Sequence, residues 1–167
     1  MKRFLVLLIC LILISGCSSS DEVSQDQMNT YNDLVTSVNN NGGHNSYMIP
    51  FNYELSVKKI SSGYSYTLVI NKPQIVMNNI QFIAINSEAS KSDMAACIGV
   101  FDDEDISLIP NQSAPDKGYP AGIALNGVSK VADFNIYCLA IWYNDDNTEQ
   151  TKAFFNFHVA SGKVSGE

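Results

Sequence analysis

Residues 133–159 read DFNIYCLAIWYNDDNTEQTKAFFNFHV, and this stretch decides the fold of the chain. Apolar side chains recur at every second position in both halves, and the polar residues 144–147 separate the halves. A period of two is typical of β-strands with one buried face, and a polar turn between two such strands predicts a hairpin. The side chains predicted to share the core face are Phe134, Ile136, Cys138, Ala140, Trp142, Ala153, Phe155, Phe157 and Val159.

A second hairpin is predicted over residues 51–71. Apolar and polar side chains alternate from Phe51 to Lys58 and again from Tyr64 to Asn71, with the turn Ser61-Ser62-Gly63 between them. Proline cannot donate to a strand ladder, so Pro73 ends the second strand. Weaker patterns predict further strands at 80–86, 96–101, 106–109 and 123–126.

Short strands separated by Gly, Pro, Asn and Asp predict an all-β fold, an antiparallel Greek-key β-sandwich of about seven strands over residues 46–167. Over residues 49–160 this architecture resembles the immunoglobulin-like or fibronectin-type modules of bacterial surface proteins. Two positions depart from true immunoglobulin domains: Tyr137 stands one residue before Cys138 instead of two, and Trp142 follows on the same strand. A jelly roll or another Greek-key sandwich therefore stays open.

The N-terminus has the layout of a secretory signal. Lys2 and Arg3 precede an apolar run of 11 residues from Phe4 to Ile14, whereas a membrane-spanning helix needs about 20. The sequence Ile14-Ser15-Gly16-Cys17 resembles the lipobox of bacterial lipoproteins. This resemblance implies a signal peptide over residues 1–16, cleavage before Cys17, and a diacylglycerol on the Cys17 sulfur. A plain secretory signal is the alternative.

Residues 17–45 are rich in Ser, Asn, Asp and Gln, which predicts a tether between the lipid and the sandwich. Tyr31, Leu34, Val35 and Val38 fall at helical spacing inside it. Thr30 could cap the start of a short helix and Gly42 its end. A coil is the alternative.

Charge limits the partners. The formal net charge is −7, and loss of Lys2 and Arg3 with the signal peptide makes it −9 and leaves no arginine. Such a surface disfavours nucleic acid. We expect the membrane, contacted through the lipid, and a protein or glycan as partners, and no cofactor besides the covalent lipid. The predicted location is the cell membrane or outer membrane, outside the cytosol.

Two cysteines remain in the mature chain, Cys97 and Cys138. An exported protein meets oxidising conditions, so a disulfide between them is one interpretation. The other is two buried thiols that pack as small hydrophobic side chains.

Two surface features are candidate binding sites. Asp102, Asp103 and Asp105 could bind calcium through oxygen ligands, although a solvated turn explains the same run of acids. Tyr119 and Tyr143 lie in predicted loops or turns and could contact a ligand. Alternatively, Tyr119 covers one end of the core.

No catalytic motif occurs in the sequence, and His44 and His158 are the only histidines. The sequence therefore predicts a binding or interaction module of the bacterial envelope that is not an enzyme. A surface lipoprotein that binds a glycan or a small ligand is the alternative, and an enzyme is the least favoured class.

Overall fold

The computed structural model describes residues 23–90 and 93–165. The predicted signal peptide and Cys17 lie outside the described residues. The described chain forms two antiparallel sheets that pack face to face around one core, with a helix on the outside. The elements are α1 (Gln25–Asn41), β1 (Asn52–Ile60), β2 (Gly63–Asn71), β3 (Asn78–Asn86), β4 (Ala96–Ile98), a 3₁₀ turn (Pro115–Lys117), β5 (Gly122–Ser129), β6 (Phe134–Tyr143), β7 (Gln150–Ala160) and β8 (Lys163–Ser165).

The strand order is that of an immunoglobulin-like sandwich. One sheet has the order β1-β2-β5 and the other β4-β3-β6-β7-β8. Immunoglobulin-like domains place strands A, B and E in one sheet and C, F and G in the other. Strands β1, β2 and β5 take the first three places, strands β3, β6 and β7 the other three, and β4 and β8 extend the second sheet. The predicted antiparallel sandwich is confirmed, with eight strands among the described residues instead of about seven.

The hairpin β6–β7 supplies much of the core. Its register pairs Phe134 with Val159 and Cys138 with Phe155. All nine side chains predicted to share a face belong to the core cluster, eight of them buried and Phe157 packed against it. The opposite sheet contributes Leu68 and other apolar side chains to the same cluster. The period of two therefore identified the buried face correctly.

The hairpin β1–β2 is also confirmed. Ile60 pairs with Gly63, so the turn consists of Ser61 and Ser62 alone. Gly63 has a φ of 138° and lies so close to the Ser129 carbonyl that a Cβ would overlap it. Only glycine fits here, because it tolerates this φ and lets the strand β5 approach.

Three strand predictions need correction. Residues 106–109 are not a strand, because Leu108 makes only an isolated bridge with Met77. Strand β4 ends at Ile98 instead of 101, because Gly99 has a φ of 75° and turns the chain. Strand β8 was missed; it follows a two-residue turn whose second residue, Gly162, has a φ of 72°.

Helix α1 is longer than the sequence indicated. Its cap is Ser24, whose hydroxyl accepts from the Gln27 N–H while the Gln27 side chain accepts from the Ser24 N–H. This capping box satisfies two of the free N–H groups of the first turn. Thr30 is therefore not the cap, and its hydroxyl donates to the Asp26 carbonyl instead. Gly42 ends the helix in the left-handed conformation, as predicted.

The helix packs on the outer face of the five-stranded sheet. Tyr31, Leu34 and Val38 are buried against a cluster that includes Ile83 and Leu139. Residues 25–41 therefore belong to the folded unit, and the boundary predicted at residue 45 does not separate a tether from a domain. The chain after the helix is also fixed, since the Ser46 N–H donates to the Phe154 carbonyl at 2.8 Å.

Candidate functional site

The sandwich has two lateral edges, and aromatic side chains fill one of them. We call this edge, where β1 lies beside β8, the aromatic edge. The Tyr53 ring lies 4.6 Å from that of Phe155 and 5.7 Å from that of Phe157, and Phe51 packs on Phe155 at 5.7 Å. Rings at these separations make favourable edge and offset contacts. The core is thereby closed to solvent at this side.

The opposite edge, between β4 and β5, opens into a cleft of about 410 Å³. Three small residues on three different strands, Ala84, Ala96 and Gly127, lie in its lining. A Cβ on Gly127 would overlap the Tyr66 ring, so no larger residue fits there with that ring in place. The cleft thus exists because small side chains stand where the aromatic edge has large ones.

One polar group in the lining of the cleft is the Tyr66 hydroxyl. Tyr66 is only 5% exposed, and its ring packs against Phe134 at a centroid distance of 6.1 Å. Its hydroxyl makes no hydrogen bond within the described residues, and because no buried side-chain oxygen or nitrogen there lacks a partner, this hydroxyl is reached by solvent. Burial, with a smaller contribution from Cys138, raises the pKa of Tyr66, so the group stays protonated at neutral pH.

Two amide side chains lie at the cleft edge, on different faces. Asn86 is buried; its Nδ2 donates to the Val128 carbonyl at 3.2 Å and its Oδ1 accepts from the Glu88 N–H at 2.9 Å. Asn126 is exposed, and its Oδ1 accepts from Thr67 Oγ1 at 2.7 Å. Asn126 pairs with Thr67 and Gly127 with Tyr66, so the Asn126 side chain lies on the other face of the sheet from the Tyr66 ring.

The mouth of the cleft carries charges of both signs and exposed apolar side chains. Glu88 and Asp93, from the connection between β3 and β4, and Lys130, after β5, belong to the lining. Met94 and Val128 are each more than half exposed. The lining therefore combines small apolar residues with polar and charged ones, in a cleft whose volume lies within the range of small-molecule sites.

Of the two interpretations of the cysteines, the structure agrees with the two thiols and not with the disulfide. Strands β4 and β6 lie on either side of β3. Cys97 of β4 pairs with Ile83, and Cys138 of β6 pairs with the next residue of β3, Ala84. The two thiols therefore lie on opposite faces of the sheet, two strand spacings or roughly 10 Å apart, whereas a disulfide needs Cα atoms within about 7 Å. Both cysteines are free thiols. Burial and the nearby Asp102 carboxylate raise the pKa of Cys97 to about 11, and burial raises that of Cys138.

The tyrosines predicted as ligand contacts are not part of the cleft. Tyr119 and Tyr143 are half-buried, and neither belongs to its lining. The backbone of Tyr119 exchanges two hydrogen bonds with Ala114, at 2.7 and 3.1 Å, and so closes the turn that contains the 3₁₀ segment. Tyr143 ends β6, paired with Asn78 and Gln150.

The acidic run gains no support as a metal site. Within the residues that the structure describes, no three His, Cys, Asp or Glu side chains are grouped so as to hold an ion. Asp102 instead accepts from the Gly99 N–H at 2.5 Å and stabilises the turn after β4, while Asp103 and Asp105 are exposed. His44 is exposed and His158 contacts Asn135 Oδ1 at 2.9 Å.

Fold and site together define a β-sandwich of immunoglobulin-like strand order with a lateral cleft. Comparison with family models, curated proteins and solved structures gave no match. No helix in the described part of the chain is both long and apolar enough to cross a bilayer.

Proposed function

We propose that this protein is a lipid-anchored, extracytoplasmic binding module of the bacterial cell envelope, and that it holds a small ligand in the cleft between β4 and β5 without catalysis. The observation that carries this proposal is the cleft itself, a space of about 410 Å³ that small residues on three strands leave open between β4 and β5 and that the Tyr66 side chain lines.

The envelope location rests on the sequence. The apolar run before Cys17 and the small residues next to it resemble a lipoprotein signal, and two or three acyl chains give durable anchoring where one is marginal. A net charge of −9 after cleavage keeps the folded part off an anionic membrane surface.

The absence of catalysis is part of the proposal. Its support is the state of the two thiols, which are protonated at neutral pH and therefore poor nucleophiles. A glycan is less well supported as the ligand than a small molecule. Sugar rings stack on exposed aromatic faces, and Tyr66, the single aromatic side chain among the described residues of the lining, is buried.

The anchor is tested with the full chain expressed in a bacterium and partitioned into detergent. We expect the wild type in the detergent phase and the variant Cys17→Ser in the aqueous phase with its signal uncut, because serine cannot carry the thioether. Recovery of the wild type, uncut and unmodified, from the aqueous phase would refute the anchor.

The cleft is tested with the chain from Ser18 onward, which contains every described residue. The purified protein is incubated with a small-molecule extract of envelopes, washed and denatured, and the released compounds are identified by mass spectrometry. Ala96→Leu places three carbons in the cleft and should abolish retention. Ala124→Leu, the same change at an exposed position of β5, is the matched control and should retain the ligand. Equal retention by Ala96→Leu and wild type would refute the cleft as the site.

A further inference from the structure

The strands at the ends of the two sheets differ in how their open edges are protected. Strands β4 and β8 have three residues each, and β1 carries Glu54, Lys58 and Lys59. Strand β5 has eight residues, from Gly122 to Ser129, without a charged side chain or a proline. Short length, charges and prolines keep the edge of a sheet from pairing with another chain. Among the end strands that the structure describes, β5 is therefore the least protected.

The free edge of β5 consists of the main-chain groups of Ala124 and Asn126. Strand β5 pairs with β2 on one side only. The Val128 carbonyl accepts from Asn86 Nδ2 of the opposite sheet, so it points away from β2. Main-chain groups of every second residue in an antiparallel strand point to the same side, so those of Ala124 and Asn126 also point away from β2. Both residues are exposed, and neither makes a main-chain hydrogen bond on that side within residues 23–90 and 93–165.

The spacing of these groups matches a peptide main chain. Two N–H and two C=O groups lie along about 7 Å of strand, and an extended peptide beside β5 can pair with all four, as in strand addition. A peptide residue opposite Gly127 then points to the inner side of the sheet, because Gly127 alternates with exposed residues and shares the side of the buried Leu125. Gly127 has no side chain and lines the cleft, so that peptide residue points into the cleft.

A separate peptide fits this edge better than a second copy of the chain does. In a second copy, the inner side chains Ile123 and Leu125 of β5 are each 5% exposed and belong to that copy's own core. They are therefore not free to enter the cleft of a neighbour. The formal charge of −7, which becomes −9 without Lys2 and Arg3, also makes two copies repel each other, whereas a neutral or basic peptide is not repelled.

We infer that the ligand of the cleft is a short extended peptide, neutral or basic, that pairs antiparallel with Ala124 and Asn126 of β5 and places one apolar side chain in the cleft opposite Gly127. This inference rests on the proposed binding function and names the class of its ligand. The side chain is apolar because the strand residues that line the cleft across from Gly127 are Ala84 and Ala96.

Three peptides of one sequence test the main-chain pairing. The parent, acetyl-Val-Thr-Val-Thr-Lys-amide, places its two threonines opposite Asn126 and Ala124 and its first valine opposite Gly127. One derivative is N-methylated at both threonines, whose N–H groups face β5, and the other at both valines, whose N–H groups face away. Each peptide is titrated into the ¹⁵N-labelled chain from Ser18 onward, and the amide signals of Ala124 and Asn126 report pairing. We expect the valine-methylated peptide to bind as the parent does and the threonine-methylated peptide at least about fivefold more weakly, because it loses two hydrogen bonds.

Two variants of the protein test the side chain in the cleft. Ala96→Leu fills the cleft and should weaken the parent peptide about three- to tenfold, as expected when a valine side chain loses part of its burial. Ala124→Leu, the same change on the outer face of β5, keeps the main-chain groups and should bind the parent as the wild type does. Equal affinities of the two variants would overturn the inference, because no side chain would then enter the cleft.

The remaining outcomes separate this inference from the proposed function. If the two methylated peptides bind equally, the pairing with β5 is wrong, while loss of ligand retention in Ala96→Leu still supports the cleft as a site. If no peptide moves the Ala124 and Asn126 signals, a peptide is the wrong class of ligand, and the retention experiment decides on the cleft by itself. If these signals move with protein concentration alone and the protein sediments as a dimer, a second copy occupies the edge and the inference is overturned.

Discussion

The space between the two sheets is filled at one lateral edge of this sandwich and left open at the other. At the aromatic edge, the rings of Phe51, Tyr53, Phe155 and Phe157 fill the space between the sheets. At the cleft edge, alanine and glycine leave that space open beside the Tyr66 side chain. The difference teaches that the cleft is set by side-chain size within a shared strand order.

Phe155→Ala at the aromatic edge should have the largest effect on stability. The side chain is 1% exposed and touches aromatic rings from both sheets. Truncating a buried Phe removes transfer energy and leaves a cavity, so we expect a loss of about 3–5 kcal/mol in the free energy of unfolding by urea. Tyr47→Ala, at a fully exposed position, should change it by less than about 0.5 kcal/mol. Similar losses for both variants would contradict the description of this edge as closed core.

Gly127→Ala should have the next largest effect, at the cleft edge. The added methyl group overlaps the Tyr66 ring, which would have to leave its position against Phe134. Overpacking of this kind costs about 1–3 kcal/mol in unfolding free energy. In a Tyr66→Ala background, where the ring is gone, the same substitution should cost clearly less. An equal cost in both backgrounds would show that the two residues do not meet.

The core of the sandwich was predictable from sequence because long strands with one buried face carry a strong period of two. The strands β6 and β7 have 10 and 11 residues, and their inward side chains were identified without error. Strand β8 has three residues, too few for a period. Helix α1 was predicted to start late because its first turn is polar, and only the capping box of Ser24 and Gln27 marks its start.

The cleft was not predictable in this way. Tyr66 shares the inward face of β2 with Leu68 and Ile70, so its position in sequence marks a core residue. The cleft depends on small residues that lie far apart in the chain and meet only through strand register and sheet packing. One local signal existed: Gly127 stands inside a strand, and an interior glycine often marks a place where another group approaches closely.

Tyr31→Phe examines how the wall of the cleft is held. The Tyr31 hydroxyl accepts from the Ala95 N–H at 2.7 Å, and Ala95 belongs to the lining. Helix α1 thereby fixes the chain just before β4. We expect a loss of about 1–2 kcal/mol in unfolding free energy, because the N–H loses its acceptor, and faster hydrogen exchange at Ala95. Unchanged exchange at Ala95 would mean that the wall is held without the helix.

Ala96→Leu tests whether the cleft is truly unfilled space. In a packed core this change would be destabilising, but here the added carbons enter the cleft. We expect an unfolding free energy between unchanged and about 1 kcal/mol higher, as for other cavity-filling substitutions. The same urea experiment measures it. A loss greater than about 1 kcal/mol would indicate overpacking and a closed edge.

A pH-dependent effect concerns the Cys97 thiol on β4. Cys97 has its pKa raised from 9.0 to about 11 by burial and by Asp102. Between these values the unfolded chain releases the proton while the folded chain keeps it, so the contribution of this group to stability is complete below pH 9 and is lost as the pH rises to about 11. The wild type should therefore lose more unfolding free energy between pH 8 and about 10.5 than Cys97→Ser does. Both retain Cys138 and Tyr66, whose alkaline contributions cancel in the comparison. Equal losses would mean that Cys97 ionises alike in the folded and unfolded chains. Solvent would then reach the Cys97 thiol more freely than its burial indicates.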